Sequence, residues 1–305
     1  MLINAVCGFF GSKEMLSNTQ EKFSVALFSR RSRYRAGMRF FSRGIDQIGN
    51  VSNFVETEQV VWSSAGVSSY VIVRGSIPLY WQEGEAIVTL KPQPEVLRGH
   101  NHIAAMTRHL DAMTQRYGDT VAINLVDESG VEGPICEAFR STIACAYRGC
   151  LGSLVPDEWG DSDTPGLSVR YIGFDFHSEC GSMASKKGSV SLSRFLSTLE
   201  PHMERHGLFF QPAPAHAEEV VNSTQKGVFR VNCIDCLDRT NVFESAASLH
   251  AFLQQLATLG LIGEDELAAS VFSLRNGYRI PCHRIEREFK HMWANMGDRV
   301  SVQYA

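Results

Sequence analysis

The sequence predicts an α/β fold in which a mixed β-sheet is flanked by helices, and three observations predict it. Runs rich in β-branched and aromatic residues alternate along the chain with segments whose apolar residues recur every three or four positions. One such pair, "GVFRVN" (Gly227–Asn232) and a helical stripe after Thr240, brackets a short loop with two cysteines, two aspartates and an arginine. The third observation is bulk: 305 residues, 44% of them hydrophobic and 20% charged, suffice for one large core or at most two smaller ones.

Taken in order, the expected strands are "EQVVW" (Glu58–Trp62), "SYVIV" (Ser69–Val73), "AIVTL" (Ala86–Leu90), "TVAINLV" (Thr120–Val126) and "VRYIGFDF" (Val169–Phe176). Around the first three, "VRGSIPLYWQEGEAIV" offers turn residues and no helical period, so this part reads as antiparallel hairpins and makes the sheet mixed. In "HIAAMTRHLDAMTQRYG", Ile103, Met106, Leu110, Met113 and Tyr117 line one helical face and Gly118 can cap its end. "CEAFRSTIACAYRGC" (Cys136–Cys150) also has a helical look. Leu151–Pro165 and Gln211–Gln225 read as loops, and no internal repeat or low-complexity tract is present. After the cysteine loop, Val242, Ala246, Leu249, Leu253 and Leu256 form the stripe of an amphipathic helix. Asn241 with Glu244 can form its capping box, and Gly260 can close it.

Between that strand and that helix, Cys233 is followed after five residues by Arg239 and Thr240. A loop of this size can turn its backbone N–H groups inward and, with the positive end of the helix, cradle a dianionic phosphate. Asn232, Ile234, Cys236 and Leu237 are the expected lining. The same field favours a thiolate: a helix N-terminus beside an arginine lowers a cysteine from about 8.5 to about 3.5–7.5. Arg239 offers a planar fork for two phosphate oxygens. Cys233 would then attack phosphorus, Asp235 would protonate the leaving alkoxide, Asp238 would orient Arg239, and Thr240 would hydrogen-bond the sulfur. This scheme needs no metal or other cofactor. Cys233 and Cys236 are also a C-x2-C pair, which suits half a zinc site or a redox couple. A second zinc pair is missing, and Leu237-Asp238-Arg239 continue the loop where a thioredoxin-like helix would already have begun. On spacing alone the phosphatase loop, a zinc site and plain structural cysteines all stand.

The net charge of −4 gives no global attraction to polyanions, so any affinity for phosphate must be local. Arg30, Arg31, Arg33, Arg35, Arg39 and Arg43 supply such a cluster, six arginines in fourteen residues. It suits an anionic lipid surface, or equally ion pairs with Glu56–Glu58; no aromatic-interleaved motif points to nucleic acid. Arg43, with Asp46 alongside, is the arginine expected to serve the site. His177, in "FDFH", is a minor candidate, and Phe174 and Phe176 read as core. The eight cysteines show no disulfide framework, which suits a reduced, intracellular protein. The start lacks a signal-peptide pattern, and no window is apolar enough to span a membrane.

"RVNCIDCLDRTN" resembles the signature of the Sac-domain phosphoinositide phosphatases. The likeness extends in order through "SRRSRYRAGMRFFSRGIDQIGNVSNFVETEQVV", "RGSIPLYW", "INLVDESG", "FDFHSECG" and "MWANMGDRVSVQYA". It implies a cysteine-phosphatase-like α/β domain over residues 23–305, shorter at both ends than the family's, preceded by a divergent segment 1–22. It also implies removal of a monoester phosphate from phosphatidylinositol phosphates, the 4-phosphate first, then the 3-phosphate or 3,5-bisphosphate. Cys233 and Arg239 fall on the family's catalytic pair, and Asp235 and Asp238 on its loop aspartates. The expected setting is a membrane surface, on cytosolic faces of endomembranes such as endoplasmic reticulum, Golgi or endosomes. A catalytically weak phosphoinositide-binding adaptor is the alternative. Met38 stands where the family has Thr, and "DQIGN" replaces "DEDGN".

Overall fold

A computed structural model describes residues 5–39, 41–84, 93–147, 169–181, 186–214, 222–277 and 283–304. Four strands run antiparallel in chain order: β1 (Ala5–Leu16), β2 (Lys22–Ser32), β3 (Val55–Ser63) and β4 (Gly66–Arg74). A short antiparallel pair, β5 (Trp81–Glu83) and β6 (Pro94–Val96), follows. Then come α1 (His102–Tyr117), β7 (Asp119–Asn124), α2 (Gly133–Ala146), β8 (Val169–Gly173), α3 (Phe176–Cys180), α4 (Lys186–Thr198) and α5 (Glu200–His206). The chain ends through β9 (Phe209–Pro212), β10 (Gly227–Asn232), α6 (Asp238–Thr258), α7 (Glu264–Arg275) and α8 (His283–Tyr304).

Among the described residues the main sheet is eight-stranded, ordered β1-β2-β3-β4-β10-β7-β8, with β9 on the first residues of β4. β10 pairs in parallel with both β4 and β7, and β7 with β8. The sheet is thus antiparallel at one side and parallel at the other, the mixed α/β architecture expected. Alternation along each strand sends side chains to two cores. On β7, Val121 and Ile123 join Phe229 and Val231 of β10 against α4, α6 and α8. Ala122 faces the other way, with Met106, Leu110, Phe139 and Ile143 of α1 and α2. Every residue of β10 is buried, as a parallel strand covered on both faces must be.

Several boundaries differ from the sequence reading. Strand β8 stops at Gly173, because Asp175 caps α3 by accepting from the Ser178 N–H at 3.0 Å. Phe176 and His177 are therefore helical. The helix α6 begins at Asp238, inside the cysteine loop, so Asn241 lies within its first turn and forms no capping box with Glu244. Nor is α6 one-sided: Phe243, Ala247, Leu249, Ala251, Phe252 and Leu256 are all buried, since the helix lies between the sheet and its neighbours. Gly260 does follow its end, with φ +69°. Gln211 lies in β9 rather than a loop. Ala86–Leu90, Leu151–Pro165, Cys150 and Cys282 lie outside the described residues.

Candidate active site

Parallel pairing sets Asn232, Asn124 and Gly173 side by side at the carboxyl ends of β10, β7 and β8, with Arg74 at the end of β4. Ligands of open α/β sheets bind at this edge, and the loop from Cys233 to Leu237 turns across it. Polar groups beneath fix its base. The Asn232 amide donates to Asn124 Oδ1 at 2.5 Å, and Arg230 donates to Asn232 Oδ1 at 2.7 Å and to the Ser76 carbonyl.

Within the loop, Cys236 adopts φ +55°, a left-handed conformation uncommon for a non-glycine residue. That bend turns the Cys236 N–H onto Cys233 Sγ at 3.1 Å, and the Thr240 hydroxyl donates to the same sulfur at 3.3 Å. Burial by itself would raise the Cys233 thiol; hydrogen bonding from Cys236, the charge of Arg239 and the Thr240 hydroxyl outweigh it and bring it down to about 6. Cys236 goes the opposite way, pushed well above the usual thiol range by burial and by the neighbouring Cys233. Its Sγ donates to the Gly75 carbonyl at 3.1 Å. The two cysteines are chemically unequal: one holds a stabilised anion, the other a proton.

Arg239 is gripped from the β7–α2 connection. It meets both carboxylate oxygens of Glu132 at 2.7 and 2.8 Å, Asp127 Oδ1 at 3.2 Å and the Leu125 carbonyl at 3.2 Å. Burial alone would lower its pKa, but Glu132, Cys233 and Asp127 raise it further, so the guanidinium stays charged. Asp238, expected beside it as an ion-pair partner, is instead exposed on the first turn of α6, and the carboxylates on Arg239 are Glu132 and Asp127. His177 joins this group from α3, its Nδ1 2.8 Å from Asp127 Oδ2.

Opposite, Asp235 pairs with Arg43 at 2.6 Å and Arg39 at 3.5 Å. Arg43 is buried against the Trp81 ring, donates to the Ile234 carbonyl at 3.1 Å and also pairs with Glu83. Asp46 stays within its own turn, accepting from the Ile48 and Asn50 N–H groups at 3.0 and 2.8 Å. The other clustered arginines divide by partner. Arg30 pairs with Glu56 and Glu58, while Arg31 donates to Asn53 at 2.7 Å and lies over the Tyr304 ring. Beneath the loop, Arg74 forms a fully buried pair with Glu244 of α6 and reaches the Cys236 carbonyl at 3.4 Å. Glu132, Asp127 and Arg74 were not singled out by the sequence reading, and Glu244 was only as half of a capping box. Three acids within six residues after the strand "TVAINLV" were the available signal for the first two.

Fold and loop together define a mixed α/β domain built around a C-x5-R-T loop at the carboxyl edge of its parallel strands. The chain belongs to the SacI homology domain family, whose model matches residues 1–181. Full-length likeness carries beyond that segment and over the cysteine loop. The chain is 36% identical over 303 residues to the phosphatidylinositol-3-phosphatase SAC1 of Drosophila melanogaster, covering 98% of this chain and 44% of the relative. It is 32% identical over 304 residues to the phosphoinositide phosphatase SAC7 of Arabidopsis thaliana, again covering 44% of that protein. With the human phosphatidylinositide phosphatase SAC2 it shares 33% identity over 286 residues, 93% of this chain and 22% of the relative. The chain thus spans less than half the length of these relatives.

Proposed function

We propose that this chain is a phosphoinositide phosphatase, hydrolysing a monoester phosphate of phosphatidylinositol phosphates through a phosphocysteine at Cys233. The observation that carries the reading is the geometry at the Cys233 sulfur, which accepts from the Cys236 N–H at 3.1 Å and the Thr240 hydroxyl at 3.3 Å beside the start of α6. In the first step an S–P bond forms and the bond from phosphorus to the ring oxygen breaks. Asp235, whose side chain is 37% exposed, parts from Arg43 and Arg39, takes up a proton from solvent and gives that proton to the leaving oxygen. Water then attacks phosphorus, the S–P bond breaks, and Asp235 recovers a proton as phosphate leaves. Thr240 stabilises the departing thiolate. Asp238, exposed at the helix start, is the alternative acid. No step draws on a metal or cofactor.

Names of the fly and plant relatives support the substrate class. The 4-phosphate remains the first expected, and the 3-phosphate in the fly relative's name belongs in the same trial. Work at a cytosol-facing endomembrane surface fits a lipid substrate, and no described helix is long and apolar enough to cross a membrane. The test is phosphate release from vesicles carrying phosphatidylinositol mono- and bisphosphates, with Cys233→Ser alongside. Release lost on substitution supports the reading; no release from folded, reduced wild-type protein on any lipid sinks it. One observation favours a second reading, a phosphoinositide-binding adaptor of little turnover: Arg239 is engaged by Glu132 through both amino groups. Headgroup binding without turnover in the wild type, unchanged by Cys233→Ser, would identify the adaptor.

A further inference from the structure

Past the end of β2 the chain makes a turn that is stitched from below and apolar on top. The Met38 carbonyl accepts from the N–H groups of Phe41 and Ser42, both at 3.0 Å, closing the turn. Arg39 N–H donates to the Tyr304 carbonyl at 2.8 Å, Arg31 to the Gly37 carbonyl at 2.5 Å, and Arg35 to the Arg43 carbonyl at 2.6 Å. This fixed backbone holds Phe41 87% exposed and Met38 50% exposed, with Tyr34 and Arg33 also at the surface. Single exposed apolar residues are ordinary. Here several share one braced segment with no acid between Arg33 and Ile45, in which Arg33 is exposed and Arg35 and Arg39 are half-buried, while Arg43 is buried and paired with Glu83 and Asp235. The segment also abuts the cysteine loop, because Arg39 and Arg43 both reach Asp235.

We infer that Met38 and Phe41 are bilayer-docking residues that insert among the headgroups of an anionic membrane and so bring the cysteine loop onto lipid-borne phosphate. Aromatic and apolar tips flanked by basic residues suit the anionic interface, where charge draws the protein in and buried apolar area keeps it there. The inference rests on the phosphoinositide reading for what is cleaved, but docking can be measured without cleavage.

Cys233→Ser protein, with and without Phe41→Ser, is sedimented with phosphatidylcholine vesicles containing phosphatidylserine and a phosphatidylinositol monophosphate. Phe41→Ser is expected to weaken vesicle binding about ten- to hundredfold, the effect of withdrawing one buried aromatic side chain. In the active background it should cut release from vesicles to a similar extent while leaving release from a monomeric short-chain phosphoinositide within about twofold of wild type. Phe41→Trp gives a second readout, a blue shift and quenching by brominated lipid on vesicle addition. Equal vesicle binding by Phe41→Ser, or indole emission from Phe41→Trp that vesicles leave unshifted, overturns docking. So does finding the turn covered by a second copy or by further chain in a longer protein. If the wild type fails on the monomeric substrate while vesicle binding still depends on Phe41, the phosphatase reading falls and the docking site stands.

Discussion

With its thiol near 6, Cys233 is largely ionised at neutral pH, and the pH dependence of turnover should show it. The value of kcat/KM is expected to fall about tenfold per pH unit well below that point, as the sulfur protonates. Thr240→Val removes one hydrogen bond to a charged acceptor, about 1.5 kcal/mol, and should raise the Cys233 pKa by about one unit. Alkylation of Cys233 followed by mass spectrometry across pH reads this directly, without turnover. A second prediction concerns Arg239. Glu132→Ala should lower kcat/KM by about ten- to hundredfold by releasing a charge-assisted pair of hydrogen bonds, with Glu132→Gln milder, since the amide keeps one acceptor. A kinetic panel of the two variants tests it; equal activity of Glu132→Ala and wild type would remove Glu132 from any positioning role. Cys233, Arg239 and Thr240 were legible because their geometry is local, a loop closing on a helix start. Glu132 and Asp127 lie 107 and 112 residues from Arg239 in sequence, and only the parallel pairing of β7 with β10 brings them beside it.

Among the elements, β3, β4, β7, β10 and the first long helix were readable, and α1 and its Gly118 cap fall where the stripe of Ile103 to Tyr117 places them, whereas the two long strands β1 and β2 were not among the expected strands. The start of α6 was not readable, since Asp238-Arg239-Thr240 are polar and carry no stripe. What secures that start is tertiary: Arg74, at the end of β4, binds Glu244 within α6 and the Cys236 carbonyl in the loop, clamping strand, loop and helix together. Burial raises the Glu244 carboxyl and Arg74 opposes it, leaving it at about 7, so the carboxylate depends on its partner. Arg74→Ala leaves that acid alone in the core and should destabilise the protein by about 3–5 kcal/mol. The double variant Arg74→Met, Glu244→Leu should regain much of this, because packed apolar groups of similar volume need no desolvation of charge. Urea unfolding of the three proteins measures both. A double variant no more stable than Arg74→Ala would mean that the loop, rather than the charge pair, depends on Arg74.

Across the whole molecule, the two ends of the parallel strands do different work. At the amino ends, Gly227 of β10 sits in register with Asp119 of β7, whose carboxylate takes Arg205 at 2.7 Å and His206 Nε2 at 3.3 Å. The His206 ring lies directly on the glycine: a Cβ at position 227 would meet His206 Cδ2 at 2.1 Å and the Asp119 carbonyl at 2.6 Å. Gly227 is therefore what lets α5 close onto the sheet. Six residue steps lead from it to Cys233, about 20 Å at the rise of a parallel strand. Gly227→Ala should consequently cost about 1–3 kcal/mol by overpacking, seen as a lower Tm. Because the displaced groups belong to α5 and the strand starts, the ionisation of Cys233 should remain near 6 in the folded variant. Alkylation kinetics below the transition check this half of the prediction. A variant that melts early and also shifts the Cys233 thiol would show that strain at the amino ends travels along β10, so that stability and chemistry are not separately built into the two edges of this sheet.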